Sequence, residues 1–209
     1  MDSFGDIMFT PAVQAEQERD GSREKYERMY RSRLKGPLDA DARAFIESRD
    51  TFYMATITET GWPYVQHRGG PPGFLKVLGP EEIGFSDYAG NRQFITKGNL
   101  NGSNRVSIIL MDYPRRARLK VIGHAKMIDA GADEVLAKRL ATDGASAPQR
   151  LVTIAVSAID WNCPKYITPR LTEAEIETSI GPRILQMAEK IKMLEARLDR
   201  AEPSWREGK

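Results

Sequence analysis

The chain has 209 residues, of which 41% are hydrophobic and 29% charged, with 31 basic against 29 acidic side chains for a net charge of +2. That length suits one good-sized domain with an appendage. The balance argues against nucleic acid or a membrane surface as a general partner, so any basic site must be local. A single cysteine, Cys163, and two histidines, His67 and His124, leave no disulfide framework, cysteine-rich metal site or zinc site from histidine alone. The start, Met1-Asp2-Ser3-Phe4-Gly5-Asp6, lacks the basic and apolar runs of a signal peptide, and no apolar run approaches a membrane span. The expected compartment is the cytoplasm.

Residues 1–37 read as an N-terminal arm, polar and irregular at first, then helical in composition from Glu16 to Arg33 with a break at Gly21. Gly36-Pro37 punctuates its end. A second helix starts in Leu38-Asp39-Ala40-Asp41, with an aspartate to cap it and Ala42, Phe45 and Ile46 on one side. From Thr51 the period changes. Thr51–Thr58 is rich in β-branched and aromatic residues, Glu59–Trp62 reads as a turn, and Pro63–Arg68 as the return strand. Further strands follow at Phe74–Leu78, Glu82–Asp87, Arg105–Met111, Ala117–Ile128 (bent at Gly123) and Arg150–Ile159, with short helices at Asn91–Leu100 and Ala132–Ala141. Short strands at hairpin spacing with few crossover helices predict a mainly β, antiparallel barrel, here residues 38–170.

Residues 171–209 differ in pattern. Ile180, Ile184, Met187, Ile191, Leu194 and Leu198 recur at alternating steps of four and three, flanked by charges. Two apolar residues per heptad make a seam narrow enough to pair with another helix, although a single amphipathic helix also covers its own domain. Thr172 and Glu175 form a capping box for a preceding segment, and Gly181-Pro182 separates the two.

Four stretches carry candidate chemistry. In Gln66-His67-Arg68-Gly69-Gly70, strand alternation puts Tyr64, Gln66 and Arg68 on one face, a polar set suited to a cofactor surface or to solvent. In Phe85-Ser86-Asp87-Tyr88-Ala89-Gly90-Asn91-Arg92-Gln93, a strand meets a glycine turn and a helix start, where backbone N–H groups and Arg92 favour an anion, or where an ordinary capped turn sits. Arg118, Lys120 and His124 share one strand face, open to a flavin, a phosphate or water. The closing Asp160-Trp161-Asn162-Cys163-Pro164-Lys165-Tyr166-Ile167-Thr168-Pro169-Arg170 offers rings that can wall a planar ligand. Cys163 has no neighbouring base, so it reads as a small hydrophobe, and no Ser/His/Asp set or carboxylate pair stands out for hydrolysis.

In their order, DTFYMATITETGWPYVQHRGGPPGFLKVL, GFSDYAGNRQFITKGNL and RVSIILMDYPRRARLKVIGHAKMID resemble the FMN-binding split-barrel family related to pyridoxamine 5′-phosphate oxidase, and DWNCPKYITPR resembles the closing signature of an uncharacterised bacterial branch. The resemblance implies a six-stranded antiparallel Greek-key barrel, FMN, and a homodimer with the flavin at the subunit interface. By position it implies Gln66, Arg68 and Gly69 near the flavin, Ser86 and Asp87 at its ring or ribityl chain, and Asn91, Arg92 and Gln93 at its phosphate. It places Arg118 and Lys120 on a strand that meets the cofactor, and Trp161 and Asn162 beside it, from the same or the other subunit. The Arg-x-His pattern with which the true oxidases hold pyridoxamine phosphate is missing from Asn162-Cys163-Pro164-Lys165-Tyr166. The implied activity is therefore an FMN-dependent oxidoreductase on another small organic substrate, with no catalytic side chain singled out. The alternative is a non-catalytic redox sensor or carrier of flavin, or of the deazaflavin or haem that relatives of this barrel bind. The tail is expected to associate within the dimer or between dimers.

Overall fold

The computed structural model describes residues 2–32, 38–161 and 165–201. Asn162 and Cys163 fall outside them. Two compact units form, Met1–Asp112 with Arg116–Ile167, and Tyr113–Arg115 with Thr168–Lys209.

In the first unit, seven strands make one antiparallel sheet: β1 (Thr51–Ile57), β2 (Pro63–Gly69), β3 (Lys76–Gly79), β4 (Glu82–Asp87), β5 (Arg105–Asp112), β6 (Ala117–Asp129) and β7 (Arg150–Trp161). Their order is β2-β1-β5-β6-β7-β4-β3, one strand more than the family resemblance implied. The sheet rolls on itself as a split barrel. Phe52 of β1 meets Phe85 of β4 edge-on at 5.2 Å between ring centres, although β5, β6 and β7 lie between those strands in the ladder. Phe52 also stacks on Phe74 at 5.6 Å. Around these rings Met54, Leu75, Ile83, Ile108, Leu110, Leu119, Val121, Val152 and Ile154 are buried and form one core. All but Leu75, which precedes β3, come from alternate positions of β1, β4, β5, β6 and β7, as inward-facing strand residues must.

At Gly123, where the sequence suggested a bent strand, the irregularity falls on the neighbouring strand. Between Ile122 and Gly123 the pairing of β6 with β7 skips Ser157, a bulge on β7. A Cβ on Gly123 would lie 2.3 Å from the Ala155 carbonyl oxygen, so only glycine permits this approach.

Helices finish the unit. The polar N-terminus is helical earlier than composition indicates: α1 (Phe4–Met8), α2 (Pro11–Asp20) and α3 (Arg23–Ser32). Ser3 and Asp6 form a reciprocal capping box on α1, and Thr10 caps α2 ahead of Pro11. Local caps set these helices, and α2 buries no residue, which is why no apolar periodicity announced them. The arm lies on the end of β7, where the Tyr30 hydroxyl donates to Asp160 at 2.8 Å and the Asp2 amide to the Ser157 carbonyl at 3.1 Å. Next comes α4 (Ala40–Glu47), capped by Asp39, with Ala42, Phe45 and Ile46 buried. After β4 comes α5 (Ile95–Gly102), and between β6 and β7 lies α6 (Glu134–Leu140).

The second unit contains α7 (Glu173–Ser179), with the expected Thr172–Glu175 capping box, and α8 (Gly181–Ala201). Among the described residues no helix is long and apolar enough to cross a membrane.

Candidate functional site

The site begins with two strands that are not hydrogen-bonded to each other. Alternation on β2 turns Tyr64, Gln66 and Arg68 to the half-buried side while Val65 and His67 stay exposed. On β4, Asp87 is the last residue and is 5% exposed. Arg68 Nη1 donates to Asp87 Oδ1 at 2.5 Å, and Arg150 Nε, from the start of β7, donates to Asp87 Oδ2 at 2.7 Å. One buried carboxylate thus holds two arginines that are themselves only 17% and 13% exposed. Such a group is ionic and bonded on both oxygens, the condition under which a buried charge is tolerated.

Between β4 and α5 the chain makes an open loop. The Asn91 side chain accepts from the Gln93 amide at 3.2 Å. Arg92 and Phe94 both adopt positive φ, +61° and +55°, a left-handed conformation that costs L-residues roughly 1 kcal/mol each. These angles keep residues 91–94 out of the helix. It starts at Ile95, four residues later than the sequence indicated, and neither Asp87 nor Asn91 caps it. Two side-chain bonds dock α5 on the β1–β2 hairpin and so position the loop. Thr96 Oγ1 donates to Gln66 Oε1 at 2.7 Å, and Asn99 Nδ2 to the buried Thr56 Oγ1 at 2.8 Å.

These parts enclose a cleft of about 180 Å³, lined by β2 (Tyr64, Gln66, Arg68), by Asp87 to Lys97 except Ala89, and by Met127, Gln149 and Arg150. Of the residues singled out by sequence, Gln66, Arg68, Asp87, Asn91, Arg92 and Gln93 meet here. Ordinary small-molecule pockets run roughly 300–1,000 Å³, so the cleft is smaller than most. Arg68 Nε is buried and makes no hydrogen bond. Arg92 and Lys97 are exposed and both line the cleft; among the described residues neither has an ion-pair partner. The cleft therefore presents free cations at its rim and neutralised arginines at its base.

The remaining candidates lie elsewhere. Ser86, next to Asp87 on a strand, points to the opposite side and donates to the Leu140 carbonyl at 3.0 Å. Gly69 shares the outward side of β2, where an added Cβ would meet the His67 ring at 3.1 Å. Lys120 reaches Asp160 at 3.8 Å and lies over the Phe4 ring. Trp161 packs edge-on against Phe45 at 4.9 Å. Arg118 has a buried Nε without a partner. Arg118 and Lys120 sit at the far end of β6 from Met127, about 23 Å along the strand from Lys120. Sequence reasoning passed over Arg150, Phe94, Lys97 and Gln149. Arg150 lies 5.5 Å over the Phe94 ring and ties that ring to Asp87.

Comparison with known proteins gives a family and a fold. Residues 38–162 match the family model described as pyridoxamine 5′-phosphate oxidase. No curated protein sequence matches significantly. Among solved structures, HupZ of Group A Streptococcus is 13% identical over 64% of this chain and 99% of that one, TM-score 0.47. An FMN-binding protein from Syntrophomonas wolfei is 14% identical over 70% and 97%, TM-score 0.45. General stress protein 26 from Bacillus anthracis is 13% identical over 56% and 88%, TM-score 0.44. Identities and scores this low say nothing of ligand or activity.

Proposed function

Because the chain belongs to the pyridoxamine 5′-phosphate oxidase family, we propose that the cleft holds FMN and that the protein is a flavin-dependent oxidoreductase acting on a small organic substrate other than a B6 vitamer. The observation that carries this reading is the unpaired Arg68 Nε at the base of a cleft whose rim holds Arg92 and Lys97.

The residues present fit such a cofactor. Arg92 and Lys97, with the open 90–94 backbone, suit a phosphate, for which a guanidinium fork and an ammonium are complementary donors. Asp87 fixes the Arg68 guanidinium through one nitrogen and leaves Nε for a ring or carbonyl acceptor. Phe94 and Tyr88 supply apolar walls. FMN supplies the hydride chemistry when bound, and the protein orients and shields it. The wall that one chain lacks is furnished by a second subunit of a homodimer. Arg118, whose Nε is also unsatisfied, is then the member of the outlying group best suited to the partner's cofactor.

The lining holds no histidine, and its single carboxylate is engaged by two arginines. That favours, as a second reading, a flavin carrier or sensor that performs no proton transfer of its own. Titration of the purified protein with FMN, followed by turnover with nicotinamide reductants and oxygen or quinone acceptors, tests both. Failure to bind FMN rejects both, and binding without turnover selects the second.

A further inference from the structure

The tail bears an apolar stripe that nothing in its own unit covers. On α8, 21 residues and about 32 Å long, Ile184, Met187, Ile191 and Leu194 are 57%, 56%, 55% and 51% exposed, and no residue of the helix is buried. An exposed seam of this length is costly in water, and soluble chains ordinarily cover such faces.

We propose that α8 pairs with α8 of a second copy of this chain as a parallel, in-register, two-stranded coiled coil. The steps of four and three make Ile184, Ile191 and Leu198 heptad a positions and Ile180, Met187 and Leu194 d positions. In the central heptad Ile191 at a and Leu194 at d are the combination that favours two parallel strands, while Ile180 and Met187 at d and Leu198 at a leave the choice to charge. Charge selects the same geometry. The g positions are Arg183, Lys190 and Arg197, and the e positions Gly181, Ala188 and Glu195. In a parallel pair g faces the following e of the other helix, so each Lys190 meets a Glu195. In an antiparallel pair g faces g, which would set Lys190 against Lys190 and Arg183 against Arg197. Leu185 and Met193, also exposed, fall at b and c outside the seam. This pairing is independent of the flavin reading.

The test uses the full chain with Cys163→Ser and Leu198→Cys under mild oxidation. The parallel register predicts a disulfide-linked dimer on a non-reducing gel, because two a positions lie opposite each other. At low salt, adding Lys190→Glu slows cross-linking roughly tenfold, and combining it with Glu195→Lys restores the rate. Leu185→Gln leaves it unchanged. Absence of the Leu198→Cys dimer while an Ile180→Cys/Leu198→Cys chain cross-links would establish the antiparallel pair and overturn the proposal. Absence of any cross-link, or a rate indifferent to the charge swap, would overturn it equally.

Discussion

Arg68 and Asp87 are 19 residues apart in sequence and lie on strands separated by four others in the ladder, yet their side chains meet at 2.5 Å. The rolled sheet makes that meeting possible, and the meeting fixes the base of the cleft. Asp87→Ala would leave Arg68 and Arg150 as buried charges without a counter-ion. A loss of about 3–5 kcal/mol is expected, read as a lower urea midpoint at unchanged m-value. A loss below about 1 kcal/mol would mean that water already solvates the pair.

Gly123 and Gly98 should respond oppositely to alanine. At Gly123 the new methyl meets a backbone carbonyl that cannot rotate away, and destabilisation of about 2 kcal/mol or more is expected. At Gly98, inside α5 with open space around it, alanine should stabilise by about 0.5–1 kcal/mol. Thermal unfolding of the two variants checks both signs.

On the proposed reading, Arg92→Ala and Lys97→Ala each weaken FMN binding roughly tenfold at low salt, with unchanged circular dichroism, because both side chains serve a phosphate and neither holds the fold. Riboflavin, which lacks the phosphate, should bind the two variants and the parent alike. Equal losses for riboflavin and FMN would move the phosphate elsewhere.

Thr96→Val removes the bond that ties α5 to Gln66. The expected cost is about 1 kcal/mol of stability and a several-fold faster FMN release, since the 90–94 loop loses one of its two anchors. Asn99→Leu, which breaks the buried bond to Thr56, should cost more in unfolding than in release.

Much of the fold was legible because strand alternation and turn residues are local signals. Thr51–Ile57, Pro63–Gly69 and the heptad of the tail could be read directly, and so could the shared face of Gln66 and Arg68. Ser86 and Gly69 could not share that cleft with Asp87 and Arg68, since neighbours on a strand face opposite ways; the alternation rule, applied strictly, separates them. Arg150 was invisible for another reason. Its role comes from Asp87, 63 residues away, and no spacing in the chain encodes that contact. The positive φ at Arg92 and Phe94 likewise has no signal in residue type, since neither is a glycine or an asparagine.

Whether the cleft beside Arg68 and Arg92 holds FMN is read from the absorption spectrum of the purified protein with mass identification of any released chromophore. Oxidised-flavin bands are expected, as purified or after adding FMN, with a released mass equal to FMN, and both are lost in the Arg68→Ala/Arg92→Ala chain. A protein that stays colourless after FMN is added, or that releases a deazaflavin or haem, would contradict it.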